Sequence, residues 1–146
     1  MQINTTRFGA VEVADEDVIR FPAGLPGLND CTSWVLLADA HHEALGWLQS
    51  TQQDDVALAV VTPGQFVAGY ELRVGRAELG SELAARQDEL HVLVIVGKNQ
   101  RGITLNLKAP LVIDLAARVG RQVVASSELP VQYELSSALS PLRRAA

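Results

Sequence analysis

The stretch His91-Val-Leu-Val-Ile-Val96 constrains the fold of this chain more than any other. Its uninterrupted, β-branched-rich apolarity suits a strand covered on both faces and set centrally in a core. The rest of the chain repeats the theme at shorter range: apolar runs, alternating or continuous, bounded by Gly, Pro, Asn and Asp, with no sustained 3.6-residue stripe. Strands are expected over 2–5, 11–13, 17–21, 34–37, 45–49, 57–61, 70–74, 91–96, 103–107, 111–114 and 122–126, of which at least eight should survive. One segment breaks the rhythm. Across 76–86, Leu79 and Leu83 lie four apart, with Glu78 and Glu82 on a neighbouring track facing water, which predicts one short helix weakened at Gly80. A further helical turn is expected at 116–119, with Gly120 taking the left-handed backbone that ends it.

Turn chemistry is plain at 22–27, at Pro63-Gly64 and at 98–102, the last joining two strong strands as a hairpin. Gly24 and Gly27 are assigned to backbone angles closed to other residues, hence to architecture. No repeat or linker divides the 146 residues, so a single domain over 1–146 is expected, with 136–146 as a polar, partly disordered tail. A chain of this length buries enough surface to need no disulfide or metal. The expected fold class is mainly β: a compact β-barrel-like or rolled antiparallel sheet with one short helix, because closing a sheet satisfies edges that a flat one exposes.

The chemistry of most enzyme classes is missing from the sequence. Gly97-Lys98 is followed by Asn99 and lacks the glycines of a phosphate-binding loop, and the glycines of 24–27 do not open a helix. His41-His42 with Glu43 has no further ligand at workable spacing; these residues are expected in an exposed loop, and His91 at the entrance of a strand. Cys31, Ser50, Ser126 and Ser127 lie in no recognisable nucleophile elbow, while Asp54-Asp55 and the Glu78/Glu82 pair read as solvated faces. No catalytic residue, metal or cofactor is therefore assigned. A formal net charge of -5 repels a phosphate backbone, and Arg73, Arg76, Lys98, Arg101, Lys108, Arg118 and Arg121 have no aromatic interleaving to stack bases, so they read as solvated surface and no direct nucleic-acid contact is expected. A single cysteine, no basic-then-apolar leader and no apolar run of membrane-spanning length point to a cytoplasmic protein that neither spans nor enters a membrane. Acidic character with exposed turns and edges is the equipment of a protein that meets other proteins.

Read in order, Ile19-Arg-Phe-Pro-Ala-Gly-Leu-Pro-Gly-Leu28, Trp47-Leu-Gln-Ser50, Ala57-Leu-Ala-Val-Val-Thr-Pro63, Gly69-Tyr-Glu71, Asn106-Leu-Lys-Ala-Pro-Leu-Val-Ile-Asp114 and Gly120-Arg-Gln-Val-Val124 resemble the FliW family of flagellar assembly factors over nearly the whole chain. The resemblance implies a small β-barrel-like fold, no catalytic activity and two protein partners: cytoplasmic flagellin, and the RNA-binding translational regulator CsrA, which such proteins hold away from flagellin messenger RNA. It also implies partner-binding residues. Tyr70 and Glu71 match the family's Tyr-acidic segment ahead of the helix, and Asn106 and Lys108 lie in the Asn-Leu-x-Ala-Pro motif. Asn106 has a structural alternative, satisfying neighbouring backbone, and Pro110 another, marking a bend that needs no donor. Leu28, Asp114 and Gln52-Gln-Asp-Asp55 depart from the family pattern and bear on partner affinity more than on fold. The alternative function is a small-molecule-binding or enzymatic split β-barrel, which a deep pocket lined by convergent polar groups would distinguish.

Overall fold

The computed structural model describes residues 1–135; the expected tail at 136–146 lies outside the described residues. Eleven strands form in chain order: β1 (Gln2–Thr5), β2 (Gly9–Glu12), β3 (Val18–Arg20), β4 (Ser33–Ala38), β5 (Gly46–Ser50), β6 (Ala57–Val61), β7 (His91–Asn99), β8 (Gly102–Leu105), β9 (Leu111–Asp114), β10 (Val119–Gln122) and β11 (Tyr133–Glu134). Two one-turn helices, α1 (Arg76–Leu79) and α2 (Ser81–Ala84), precede β7. Seven strands close a barrel in the order β7-β6-β5-β4-β3-β10-β9, with β9 returning to β7. Every contact around the ring is antiparallel except β3 with β10, which is parallel and brief: Val119 lies opposite Arg20, and the Arg20 N–H donates to Arg118 O at 3.0 Å.

The long strand β7 explains the closure. Its first half pairs with β9 through His91, Val92 and Leu93, Val94 and Ile95 pair with β6, and Val96 to Asn99 pair with β8 across the 98–102 hairpin. The chain from β8 to β9 thus runs along one side of β7 and bends at 106–110, where the Asn106 N–H still reaches Ile95 O. Alternation along β7 accounts for its unbroken apolarity. Leu93 and Ile95 pack into the barrel with Phe21, Trp34, Leu48, Leu111 and Ile113. Val94 faces outward and is nevertheless fully buried, with Val61, Leu105 and Leu107 beneath Phe66, Val67 and Tyr70, while Val92 packs under Leu79 and Leu83 of the helices. Over 92–96 both faces of the strand are covered, so no position there tolerates a polar residue cheaply.

The barrel is therefore solid and carries three covers on its outside. The β1–β2 hairpin lays Ile3, Val11 and Val13 over Val18, Val35 and Leu37 of β3 and β4. The segment 66–70 covers β6 and β7, and the two helices cover β7 and β9. Each fully buried aliphatic side chain contributes roughly 1.5–3 kcal/mol, so these covers belong to the folding unit. No helix among the described residues is long and apolar enough to cross a membrane.

Several local expectations are corrected. The expected single helix over 76–86 is two, because Gly80 takes φ of 83° and breaks the hydrogen-bonded run. Residues 115–118 form a turn with no helix, and Arg118, with φ of 57°, holds the left-handed position expected at Gly120. Gly120 instead lies inside β10, where a Cβ would meet the Phe21 ring at 2.6 Å. The expected strand at 122–126 begins and ends earlier, as β10. Residues 70–74 are extended without a strand ladder. Gly24 and Gly27 do take positive φ, at 71° and 79°, folding the 22–27 turn so that Leu25 enters the barrel core.

Candidate functional site

The sequence motifs with no place inside the barrel converge on one outer surface, organised by residues 123–127. This segment leaves β10 and runs as a strap between two others. On one side Val123 N–H donates to Pro110 O at 2.9 Å and Ala125 N–H to Lys108 O at 2.8 Å. On the other, Ser126 donates to Arg73 O from both its backbone N–H, at 2.8 Å, and its hydroxyl, at 3.0 Å. The strap therefore ties the Asn-Leu-x-Ala-Pro bend to the extended segment that follows Tyr70.

Asn106 and Lys108 hold this arrangement from within. The Asn106 carboxamide oxygen accepts the Ala109 N–H at 3.0 Å, closing the bend. The Lys108 ammonium donates to Ala125 O at 2.8 Å and Ser127 O at 2.9 Å, so two of its three donors are spent on the strap. Both side chains are half-buried. Pro110 is buried and uses its carbonyl to receive Val123, needing no donor of its own.

Tyr70 and Glu71 differ sharply in environment although adjacent. The Tyr70 ring packs into the cluster that contains Leu107, the residue between Asn106 and Lys108. Burial pushes its phenol pKa above the ordinary value of 10.0, and its hydroxyl has no hydrogen-bond partner among the described residues. Glu71 is exposed and pairs loosely with Arg73 at 3.4 Å, both side chains about 70% exposed. An ion pair so open contributes roughly 0–1 kcal/mol, which leaves both charges free to be re-paired by a partner. Between this segment and the helices runs a groove of about 550 Å³, with Leu72, Val74, Leu79, Leu90 and Val92 among its lining and Arg73 on its rim. An apolar floor beside exposed charge and a half-buried tyrosine is the composition of protein-contact surfaces.

Some supports of this surface were not marked by sequence pattern. Glu78, expected to face water, is half-buried and accepts the Val124 N–H at 2.9 Å, anchoring the strap to α1. Arg86 donates to Asp114 at 2.8 Å and to Glu89 at 2.7 Å, tying the helical cover to β9; the Asp114 side chain is only 3% exposed. Its other oxygen accepts the Ala116 and Ala117 N–H groups. A carboxylate ending an apolar strand just before a turn was the available signal for Asp114. The other groups considered for chemistry lie elsewhere: His41 is exposed beside half-buried His42, Asp54 and Asp55 are exposed, and Cys31 is buried in the barrel. Among the described residues no three His, Cys, Asp or Glu side chains are grouped to hold a metal ion.

Comparison with known proteins identifies relatives along the same length. The family model described as "FliW protein" matches residues 2–135. The chain is 33% identical over 139 residues to "Flagellar assembly factor FliW" of Desulfitobacterium hafniense strain DCB-2, covering 92% of this chain and 91% of that protein. It is 37% identical over 132 residues to the protein of the same description from Azoarcus sp. strain BH72, covering 85% and 90%. A solved structure, "Crystal structure of the flagellar assembly factor FliW", superposes with a TM-score of 0.81 at 25% identity, covering 92% of this chain and 96% of that one.

Proposed function

Since the chain belongs to the FliW family of flagellar assembly factors, we propose that it works in the cytoplasm as a non-enzymatic regulator that binds flagellin and CsrA, antagonising CsrA repression of flagellin synthesis. The observation that carries this reading is the family match over 2–135, which takes in the barrel, its three covers and the strap together. The barrel interior is filled by Trp34, Phe21, Ile19, Leu48 and Leu111, each fully buried, so recognition falls to the outer faces.

The mechanism is titration of a limited binder. Flagellin that accumulates before export occupies the protein and releases CsrA, which represses further flagellin synthesis; export reverses the state. Such a switch needs each partner to lower the affinity for the other, and thermodynamic linkage makes that effect reciprocal. A net charge of -5 steers approach of a basic regulator, raising association rate more than final affinity. Tyr70 and Glu71 are proposed as partner contacts, the exposed carboxylate for charge and the tyrosine as an anchoring edge. Asn106 and Lys108 are proposed to act on the same surface by holding the strap, with one Lys108 donor remaining for a partner.

The test is calorimetric titration of the purified protein with flagellin and with CsrA, separately and together. Binding of each at micromolar concentration or tighter, with each weakening the other, is the expected result. Retention of neither partner rejects the reading.

A further inference from the structure

Between the hairpin that covers β3 and β4 and the helices that cover β9 lies the seam where β3 meets β10, and its outer face is basic. Ile19 and Phe21 are fully buried in the barrel, so Arg20 between them faces outward and is exposed. Its neighbour across the seam is Val119, and two residues further along β10, on the same outer face, stands Arg121. In a chain whose formal net charge is -5, neither of these arginines takes part in an ion pair among the described residues. Arg118 and Arg86, by contrast, are engaged, the first on Asp17 O and the second on Asp114 and Glu89.

Arg121 lines a notch of about 260 Å³ between the 22–27 turn and the break that separates α1 from α2. The notch is mostly apolar: Leu79, Leu83 and Val119 are buried along it, and Pro22 and Ala23 are exposed at its other side. Arg121 is half-buried there, and its Nη1 lies 3.4 Å from where a Cβ on Gly80 would stand, so the bare glycine lets the guanidinium lie against the helix break. A guanidinium walled by apolar groups is less screened by water than one on an open face, and gains more from a carboxylate brought to it. Glu82 also lines the notch, but it is exposed and outside ion-pair distance of Arg121.

We propose that this notch docks an acidic segment of a protein partner, with a Glu or Asp carboxylate pairing with Arg121 and an aliphatic neighbour packing on Pro22, Ala23 and Leu83. Arg20 adds attraction at the rim, and the 22–27 turn gains a use beyond its backbone angles. A polypeptide fits better than a nucleic acid. No aromatic side chain among the described residues lines the notch to stack a base, and the net charge repels a phosphate backbone. The notch shares only Leu79 with the groove beside the Tyr70–Glu71 segment and does not depend on what binds there.

The test uses the full chain with three probes: acetyl-Leu-Glu-Leu-amide, acetyl-Leu-Gln-Leu-amide and a short oligouridylate RNA. In proton–nitrogen NMR titration the Glu peptide is expected to shift the Gly80, Ser81 and Arg121 amides, and the Gln peptide to bind at least about fivefold more weakly. Arg121→Gln should weaken Glu-peptide binding by at least about fivefold. Glu82→Gln, which removes the notch's own carboxylate from an exposed position, should strengthen it at least about twofold. Lys98→Gln, the same loss of positive charge as Arg121→Gln but on the exposed 98–102 hairpin, should change it by less than about twofold. Absence of shifts at Gly80, Ser81 and Arg121, equal affinity for the two peptides, or equal loss in Arg121→Gln and Lys98→Gln overturns the site. Should Arg121→Gln fail to fold, a Glu82→Gln protein that binds the Glu peptide no more tightly than the original overturns it instead. RNA that shifts the same amides at lower concentration than the Glu peptide makes the notch a phosphate site and overturns the proposal.

Discussion

Gly120→Ala poses a question of sign that the structure answers. Gly120 is buried in β10, the strand that closes the barrel between β3 and β9, and its φ is not in the left-handed region. On backbone grounds alone, alanine there should stabilise by about 0.4–1 kcal/mol through loss of unfolded-state freedom. The added Cβ, however, would stand 2.6, 2.8 and 3.0 Å from Cζ, Cε1 and Cε2 of Phe21. Ordinary carbon contacts lie near 3.5–4.0 Å, so the ring would have to retreat by roughly 1 Å. Phe21 is fully buried among Ile19, Leu25, Trp34 and Ile113, and interiors packed to crystal density give little room for such a shift. Overpacking of this kind costs about 1–3 kcal/mol, which outweighs the backbone gain. A net destabilisation of about 1–2 kcal/mol is expected, lowering Tm by roughly 3–8 °C for a domain of this size. Urea denaturation followed by tryptophan fluorescence and circular dichroism measures it. Phe21→Leu, which clears the clash, should make Gly120→Ala neutral or stabilising in the double variant, a coupling of at least about 1 kcal/mol. A Gly120→Ala protein as stable as the original would refute the close approach and the barrel closure built on it.

Val94→Asp buries an unpaired charge beneath the 66–70 cover and is expected to abolish cooperative thermal unfolding near the original Tm; a normally folded variant would misplace β7. Arg86→Met strands the nearly buried Asp114 carboxylate, with a cost of about 1–3 kcal/mol because the arginine itself is partly exposed. Adding Asp114→Asn should restore most of that loss in denaturant titrations. Glu71→Lys should weaken CsrA binding in calorimetry while shifting stability by less than about 0.5 kcal/mol, and unchanged affinity removes Glu71 from the site. The Trp47 indole N–H, with the His41 and His42 backbone N–H groups, holds the Asp39 carboxyl below its ordinary pKa of 3.8. Its stabilisation is fully present above that ordinary value and is lost as pH falls through the lowered one. Asp39→Asn should flatten the acid limb of a Tm-against-pH curve, and an unchanged limb would show the contact to be absent in solution.

The segment 70–74 shows how far periodicity reaches. Tyr-Glu-Leu-Arg-Val alternates as a strand should, and Leu72 and Val74 do pack inward against the helical cover. Alternation reports that one side is buried, and burial needs no hydrogen-bonded neighbour. The neighbour here is the strap, which reaches the segment only through Ser126 to Arg73. The reverse holds for β10: Val-Gly-Arg-Gln has no strand-like apolar pattern, yet it pairs with β9 along its whole length and touches β3. The family motifs were legible as strings, while the spending of Lys108 on two carbonyls appears only once 106–110 and 123–127 lie side by side.

The order of apolar runs and turn residues was enough to determine a mainly β domain, a β7 covered on both faces over 92–96 and the 98–102 hairpin, because these depend on local geometry and on which side chains avoid water. Tertiary structure decided which strands close the ring, that Gly120 must make room for Phe21, and that Gln49 is buried with its oxygen unpaired among the described residues. Those outcomes arise between residues distant in the chain, where contact, register and the competition for hydrogen-bond partners are settled only when the sheet has closed.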